Sequence, residues 1–380
     1  MDATKLPTTE HDLNEAAEKL EPVTDILAKP VYSAELTEFL SSAKSKNQRA
    51  VVDITVWGWG RIALGVGFFA FFPNPLTYVV AILFISSGMG ILVALSHESQ
   101  HSALLRSKKW NDRVGAWLCA YPVGSVYGSS RAVHLAHHKY LNTPQDPDRH
   151  FHMEEDKSTP EQFANYFVRL LFGGQLWNSI VVNGFLRHRA NNSLQQSVSQ
   201  SPDKVSGLSA ENLVAFPPTE PTPTGPVIVL PKQKLPEVAN LLPVQIVIFG
   251  LLWLATGFWW SYLALWLVPI FTLGTFFGYL RGFIDHARLT DDDNKLAAGR
   301  LISVPNPSLW DRALLTGLDF HFHAEHHFFP AVPHYYLPQL HKILQNDEQF
   351  RDRYLVRPTY FSFLRDYWKQ ISLGAGNSAR

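Results

Sequence analysis

The sequence predicts an all-α integral membrane protein, with four transmembrane helices in two hairpins and a cytoplasmic helical cap that carries clustered histidines. Three observations predict this fold class: four apolar segments of about 20 residues, an uncharged turn within each hairpin, and basic residues outside the hairpins. At 1.5 Å per residue, about 20 residues cross roughly 30 Å of hydrocarbon. Buried helices of soluble proteins are usually shorter and apolar on one side, so they fit these segments less well.

The four apolar segments span about residues 51–72, 76–95, 240–260 and 262–283. The helix-breaking sequence FPNP separates the first pair, and little more than Trp260 and Ser261 separates the second. Basic residues such as Arg49 precede the first segment, and others such as Arg106 follow the second. The positive-inside rule therefore predicts that both termini and the middle region lie in the cytoplasm. Residues 1–48 lack the pattern of a cleavable signal peptide, so we expect the first span to direct insertion.

Histidine is concentrated in three short segments, HESQH at 97–101, HLAHH at 134–138 and HFHAEHH at 321–327. Two rings at i and i+4 lie on one side of a helix, and a ring at i+3 shares that face. Neutral imidazole is the commonest side-chain metal ligand. Together with one histidine just past the fourth span, the pattern predicts nine metal ligands on the cytoplasmic side. They are His97, His101, His134, His137, His138, His286, His323, His326 and His327.

The ligand types restrict the choice of metal. The chain has a single cysteine, Cys119, which excludes thiolate sites for structural zinc or iron–sulfur clusters. One zinc ion takes about four ligands, so eight or nine converging histidines favour two metal ions. Iron, copper and zinc all suit a nitrogen-rich dinuclear site, and affinity alone does not choose among them.

The three histidine segments, with FFPAVPHYYLPQLH after the third, resemble the histidine boxes of the membrane fatty acid desaturase and hydroxylase superfamily over about residues 50–345. The resemblance implies a four-span fold, two iron ions (Fe2+), O2 as oxidant, and an external electron donor such as ferredoxin or cytochrome b5. It also implies that YLRGFIDH, which ends at His286, supplies a further ligand. Members of the family often have Asn at the position of His321. We expect His321 to contact a metal through a bridging water molecule or to support a metal-binding histidine, because His321 and His323 cannot share a helical face.

The expected function is O2-dependent desaturation of a fatty acyl chain, with a membrane lipid or another long apolar molecule as substrate. Carotenoid or isoprenoid hydroxylases and ketolases share the box pattern and often have DPD after the second box, which Asp146, Pro147 and Asp148 match. A third alternative is a non-enzymatic membrane protein with a structural metal site. The boxes do not separate desaturation from hydroxylation, because both begin with the same hydrogen abstraction. Neither a haem-binding HPGG segment nor a Gly-rich dinucleotide motif occurs, so electrons must come from a separate protein.

Six carboxylates lie close in sequence to the histidine segments: Glu98, Asp146, Asp148, Asp285, Asp319 and Glu325. Ligating imidazoles usually donate their other ring proton to such a group, so each carboxylate is a candidate to orient a ligand. We expect Asp285 and Glu325, which adjoin predicted ligands, to point away from the metals.

The remaining histidines are predicted to be surface, capping or packing residues. They are His11, His188, His334 and His341, with packing the expected role of the last, and the i, i+2 pair His150 and His152, whose spacing suits a loop. Two ionisable residues lie in the first span. Asp53 is close enough to the cytoplasmic end to be interfacial, whereas Arg61 is expected to extend to the interface or to pair within the bundle.

We divide the chain into a polar cytoplasmic segment at 1–48, a membrane catalytic domain at 49–345 and a cytoplasmic tail at 346–380. Ser, Gln, Thr and Pro dominate an insert at about 191–236, which predicts disorder or loose attachment. An apolar stripe at 162–187 predicts a pair of interfacial helices lying on the membrane, with a fifth span as the alternative. The formal net charge is zero and no basic face is evident, so we expect no nucleic-acid partner.

Overall fold

Helices dominate the computed structural model, which describes residues 32–43, 49–141, 146–148, 157–174, 213–214, 230–231, 235–286 and 301–378. The helices are α1 (Ala34–Ala43), α2 (Ala50–Phe71), α3 (Pro75–Gln100), α4 (Lys108–Val114), α5 (Tyr127–Tyr140), α6 (Pro160–Leu171), α7 (Leu235–Ala239), α8 (Leu241–Thr256), α9 (Leu263–His286), α10 (His323–Phe328), α11 (Leu337–Asn346) and α12 (Tyr360–Ser378). The two-residue strands are β1 (Leu213–Val214), β2 (Leu230–Pro231), β3 (Ile302–Ser303) and β4 (Leu355–Val356). The predictions for His11, His150, His152 and His188, and for most of the insert, lie outside the described residues.

Within the part of the chain that the structure describes, four helical segments are long and apolar enough to cross a membrane, as the sequence predicts. They are Ala50–Phe71, Pro75–Gln100, Glu237–Thr256 and Leu263–His286. The second and fourth extend further than the apolar segments, because α3 continues to Gln100 and α9 to His286. Each of these two helices therefore carries a histidine segment or a single histidine at its C-terminal end.

The two hairpin turns are built from residues that stop and start helices. Asn74 caps α3 by accepting hydrogen bonds from the backbone of Leu76 and Thr77, and Pro75 occupies the first turn of that helix, where its missing N–H is not needed. In the second turn, Gly257 ends α8 with φ at +76°, a conformation that residues with a side chain rarely adopt. Both features are local, which explains why the turns could be predicted from sequence.

The first hairpin is held together by close backbone approach. A Cβ atom on Gly88 would lie 2.7 Å from the carbonyl oxygen of Gly58, and one on Gly65 would lie 2.8 Å from that of Ala81. Small residues at such positions allow helices to pack closely in a membrane. The segment Asp53–Gly60 within α2 is π-helical, a widening that often occurs near functional sites.

The C-terminal helices form a second layer that holds the third histidine segment. One apolar core joins α1, α10 and α11 through residues such as Phe39, Phe328 and Leu340. A second core joins α6, α9 and α12, with Phe283 packing edge-on against Tyr367. β3 pairs in parallel with β4, and Ser303 bridges to Phe322, immediately before α10.

The helix α6 covers the first half of the predicted interfacial pair at 162–187. Its Phe167 and Leu170 are buried in the core shared with α9 and α12, whereas Phe172 at its end is exposed. The part of the pair from residue 175 onward lies outside the described residues.

Candidate metal centre

The nine predicted ligands come from four helices that meet at one place. α3 contributes His97 and, at its C-terminal cap, His101, while α5 contributes the second segment along one face. α10 contributes the third segment, and the last residue of α9 is His286. The i, i+4 spacing in the sequence is therefore realised on helices in all three segments.

The nine histidines form two adjacent groups. In the first group, one ligand atom from each of five residues lies within 4.8 Å of all the others; the residues are His97, His101, His134, His138 and His326. In the second group, His137, His286 and His327 meet the same condition. His323 joins the second group, because its Nε2 lies 3.0 Å from the Nε2 atoms of both His286 and His327. The rings of His138 and His327 stack at 4.1 Å between centroids and connect the groups.

The surroundings keep most of these imidazoles neutral, which is the form that binds metals. Burial lowers the pKa of His134, His138, His326 and His327 well below the usual range, and neighbouring histidines lower it further. The pKa of His101 falls to about 4, chiefly through burial and then through the charge of Arg131. These rings therefore present lone pairs at neutral pH.

Several ring nitrogens lack the partners that buried polar atoms normally have. Among the described residues, Nε2 of His138 and both ring nitrogens of His326 are buried without a hydrogen-bond partner. An unpaired buried polar atom costs about 1–3 kcal/mol, so such atoms are rare in folded proteins. A bound metal ion would satisfy Nε2 of His138 and one ring nitrogen of His326, because it accepts their lone pairs.

The spacing of the nitrogens also fits metal binding. The Nε2 atoms of His101 and His134 lie 2.6 Å apart, and the two His323 contacts are 3.0 Å long. Two nitrogens about 2.1 Å from one ion and at right angles to each other would lie about 3.0 Å apart. Nine nitrogens exceed the four that one zinc ion takes, and their division into two groups matches a pair of ions.

The sequence model of the family described as fatty acid desaturase matches residues 69–360, which include all three histidine segments and His286. The chain belongs to the fatty acid desaturase family. It is also 23% identical over 283 residues to the dihydrorhizobitoxine desaturase of Bradyrhizobium elkanii, a match that covers 71% of this chain and 68% of that protein.

One carboxylate orients a histidine of this desaturase family member, and a second lies near another. Asp146 Oδ1 lies 2.8 Å from Nδ1 of His137, and both side chains are buried. Burial lowers the pKa of His137, but the hydrogen bond and the charge of Asp146 outweigh it, so the pKa is raised overall. Asp285 accepts a hydrogen bond from Arg281 and lies 3.7 Å from Nδ1 of His323. The hydrogen bond between Asp146 and Nδ1 of His137 leaves Nε2 as the ring nitrogen that can face a metal.

Glu325 points away from the histidine groups, as expected from its position beside predicted ligands. Its carboxylate accepts a hydrogen bond from Ser303 and lies 2.5 Å from Nδ1 of His341. The ring of His341 also packs against Phe322, so the packing role predicted for His341 is accompanied by a polar one. Through these contacts α11 and β3 hold α10 in its orientation.

The prediction that His334 is a surface or capping residue is wrong. His334 is 2% exposed, and its ring nitrogens lie 3.0 Å from Asp53 and 3.3 Å from Asp319. Its backbone N–H donates to Glu98 over 2.8 Å. Burial lowers the pKa of His334, but the charge of Glu98 and the bonds to Asp319 and Asp53 raise it overall to about 10. We call these four residues the His334 cluster.

The sequence did not predict that the four residues of the His334 cluster meet, although single members of the cluster had noticeable sequence features. Asp53 is buried inside the protein, and it is a charged residue near the end of a span. His334 lies in the segment PHYYLPQLH, which follows the third histidine segment. Glu98 and Asp319, both candidates for orienting ligands, contact His334 instead.

His321 lies in neither histidine group. It is 1% exposed, its Nδ1 is 3.3 Å from the carbonyl oxygen of Leu318, and its ring packs against Phe322. Burial lowers its pKa to about 4 despite the nearby charge of Asp319, so the ring is neutral. His321 is therefore not placed to bind a metal directly. This agrees with the expectation that His321 and His323, at i and i+2, do not share a helical face.

A cavity of about 330 Å³ leads from the histidines between α3 and α9. His97, His134, His137, His286 and His323 line one end of it. The α3 residues that line it run from Ser86 to His97, and the α9 residues run from Gly274 to His286. Because both stretches follow membrane-spanning helices, the cavity is elongated along the spans. Asp148, the sixth candidate carboxylate, lines it near the histidine end.

Proposed function

We propose that the protein is a membrane di-iron desaturase that uses O2, and electrons from a separate donor protein, to introduce a double bond into a fatty acyl chain. The observation that carries this proposal is the position of two groups of histidines at one end of an elongated cavity between two spans. Membership of the desaturase family and the name of the B. elkanii relative support desaturation over hydroxylation. The four apolar helices fit a membrane protein.

The two groups would each hold one iron ion. The first group offers five nitrogens from α3, α5 and α10, and the second offers four, from His137, His286, His323 and His327. When bound, the two irons would activate O2 for removal of hydrogen from an unactivated carbon chain. Histidine suits this chemistry because imidazole resists oxidation better than a thiolate does.

The overall reaction balances without further reactants. A –CH2–CH2– unit loses two hydrogen atoms, and O2 is reduced to two water molecules with the addition of two electrons and two protons. The donor protein supplies the electrons, and ferredoxin or cytochrome b5 would suit this role. We place the histidines, the donor and both termini on the cytoplasmic side, because basic residues flank the first hairpin there.

The protein's own residues would select and hold the reacting carbon. The cavity between α3 and α9 would fix the acyl chain relative to His97 and His286. Asp146 holds the ring of His137 in a fixed orientation, which helps the second histidine group to keep its geometry when a substrate enters.

Expression in a host with a known lipid profile tests the function. Desaturation predicts new double bonds in the acyl chains of the host, measured by gas chromatography with mass spectrometry. A change in carotenoid oxygenation with unchanged acyl chains would instead support the hydroxylase or ketolase alternative. If neither profile changes although the purified protein contains iron, the proposed desaturase function is wrong for these substrates.

A further inference from the structure

An arginine lies in the middle of the first span. Arg61 is 11 residues from the start of α2, which corresponds to about 16 Å at 1.5 Å per residue. Its side chain is half-buried and lines the cavity that leads to the histidines. From this depth the guanidinium does not reach either membrane surface easily, so its charge must be compensated inside the bundle.

The described residues do not neutralise this charge. Arg61 donates one hydrogen bond, from Nη1 to the hydroxyl of Ser87 over 2.7 Å, and its guanidinium lies 5.5 Å from the ring of Trp57. The hydroxyl of Ser87 in turn donates to the carbonyl oxygen of Ala313. Among the residues that the structure describes, no carboxylate pairs with Arg61. In contrast, Arg281 in the same cavity is paired with Asp285.

A second polar group beside Arg61 also lacks a partner. Ser86 is 4% exposed, and its hydroxyl is buried without a hydrogen-bond partner among the described residues. Ser86 and Arg61 line the same cavity. Ser86 precedes Ser87, the hydroxyl that binds Arg61, so an unsatisfied hydroxyl and a guanidinium without a carboxylate partner belong to one stretch of the cavity wall. This is the arrangement expected of a site whose ligand brings the acceptors.

We propose that Arg61 and Ser86 form a polar subsite that binds the carboxylate of a long-chain substrate. This inference rests on the proposed function and identifies the substrate class as one with a free carboxylate at the end of an apolar chain. A carboxylate carries the charge opposite to that of the guanidinium and can accept two hydrogen bonds from it. The hydroxyl of Ser86 would donate to the same carboxylate.

The distance between the subsite and the histidines predicts where the chain reacts. Ten residues of α3 separate Ser87 from His97, which is about 15 Å. An extended chain advances about 3.3–3.6 Å for every three bonds. After the length of the contact between Arg61 and the carboxylate is subtracted, roughly 10 to 12 carbons cover the remaining distance. Gly90, Ala94, Gly278 and Gly282 line the space between and leave room for methylene groups.

Binding of hexadecanoate and methyl hexadecanoate to the purified full-length protein tests the subsite. The parent protein should bind the acid more tightly than the ester. Arg61→Met should weaken binding of the acid by about 10- to 100-fold, the usual effect of losing a charged hydrogen bond, and change binding of the ester by less than about threefold. Arg61→Lys, which keeps the charge, should retain most of the affinity for the acid.

Two further variants show whether a loss of binding affinity is specific to the subsite. Ser86→Ala should weaken acid binding by about 5- to 10-fold, since it removes a donor to a charged group. Ser261→Ala removes a hydroxyl at the turn between α8 and α9 and should leave both affinities unchanged. Equal binding of acid and ester by the parent, or equal losses for both ligands in Arg61→Met, would overturn the proposal.

Product analysis provides an independent check. With tetradecanoate, hexadecanoate and octadecanoate, the double bond should stay at a constant position counted from the carboxyl end, at roughly carbon 10 to 12. A position that is constant from the methyl end contradicts the subsite but not the desaturase function. Acid-selective binding that depends on Arg61, without turnover of any chain, supports the subsite and contradicts the desaturase function.

Discussion

Replacement of His334 by leucine should destabilise the protein strongly, because it leaves Asp53 and Asp319 without their cationic partner and removes the positive charge near Glu98. Asp53 comes from α2, Glu98 from α3 and Asp319 from the loop before α10, and all three face His334. The rise of the His334 pKa from 6.5 to about 10 corresponds to about 5 kcal/mol, at 1.36 kcal/mol for each tenfold change in proton affinity. Removing one member of a buried ion pair typically costs about 3–5 kcal/mol, in agreement with this value.

Thermal unfolding in detergent, followed by tryptophan fluorescence, measures the effect. A loss of this size should lower the unfolding temperature of His334→Leu by roughly 10 °C. The sign of the pH dependence follows from the raised pKa. The parent gains stability from His334 fully below pH 6.5 and loses it as the pH rises through about 10. The unfolding temperature of the parent should therefore fall between these values more steeply than that of His334→Leu.

Asp53→Asn serves as the matched control. In the parent it removes a partner of the charged His334 and should lower the unfolding temperature. In the His334→Leu background it removes an unpaired buried charge and should raise the unfolding temperature. An unfolding temperature of His334→Leu within about 2 °C of the parent, or the same sign for Asp53→Asn in both backgrounds, would refute the reasoning.

Four other predictions concern the metal centre and the topology. Elemental analysis should find close to two irons per chain, and a single zinc without iron would contradict the proposed chemistry. Replacement of His101, His138 or His327 by alanine should abolish turnover without preventing membrane insertion, because the apolar spans drive insertion; an active His138→Ala variant would mean that the second segment does not bind metal. Asp146→Ala should lower iron occupancy or activity about 10- to 100-fold, since it frees the ring of His137. Tags at both termini should be accessible from the cytoplasm alone, and an externally accessible tag would contradict the proposed orientation.

The spans and the histidine segments were predictable because their signals are local. Each span is a run of about 20 apolar residues, and each histidine segment has its spacing within five residues. The spacing shows that two rings share a helical face, but it does not show which groups meet. The division into five and four histidines depends on how α3, α5, α9 and α10 pack, and in particular on His137 turning towards His286 while His138 turns towards His101.

The His334 cluster shows what sequence reasoning does not reach. Asp53 and His334 are 281 positions apart, and no short pattern connects them. Taken singly, Asp53 resembles an interfacial residue and His334 a surface residue, because the sequence gives no sign of the partner that would bury each. The sequence also did not predict where α3 and α9 end. Both helices continue beyond their apolar segments with polar and charged residues in their last turns, so hydropathy does not mark where they end.

The first span connects these two kinds of observation. Asp53, at its start, contacts His334 and so attaches α2 to the segment that follows the third histidine cluster. Arg61, eight residues further along and about 12 Å deeper, faces the cavity. The π-helical segment Asp53–Gly60 lies between them and sets their relative rotation about the helix axis. The first span thus crosses the membrane and also fixes the position of the proposed carboxylate subsite relative to the metal centre.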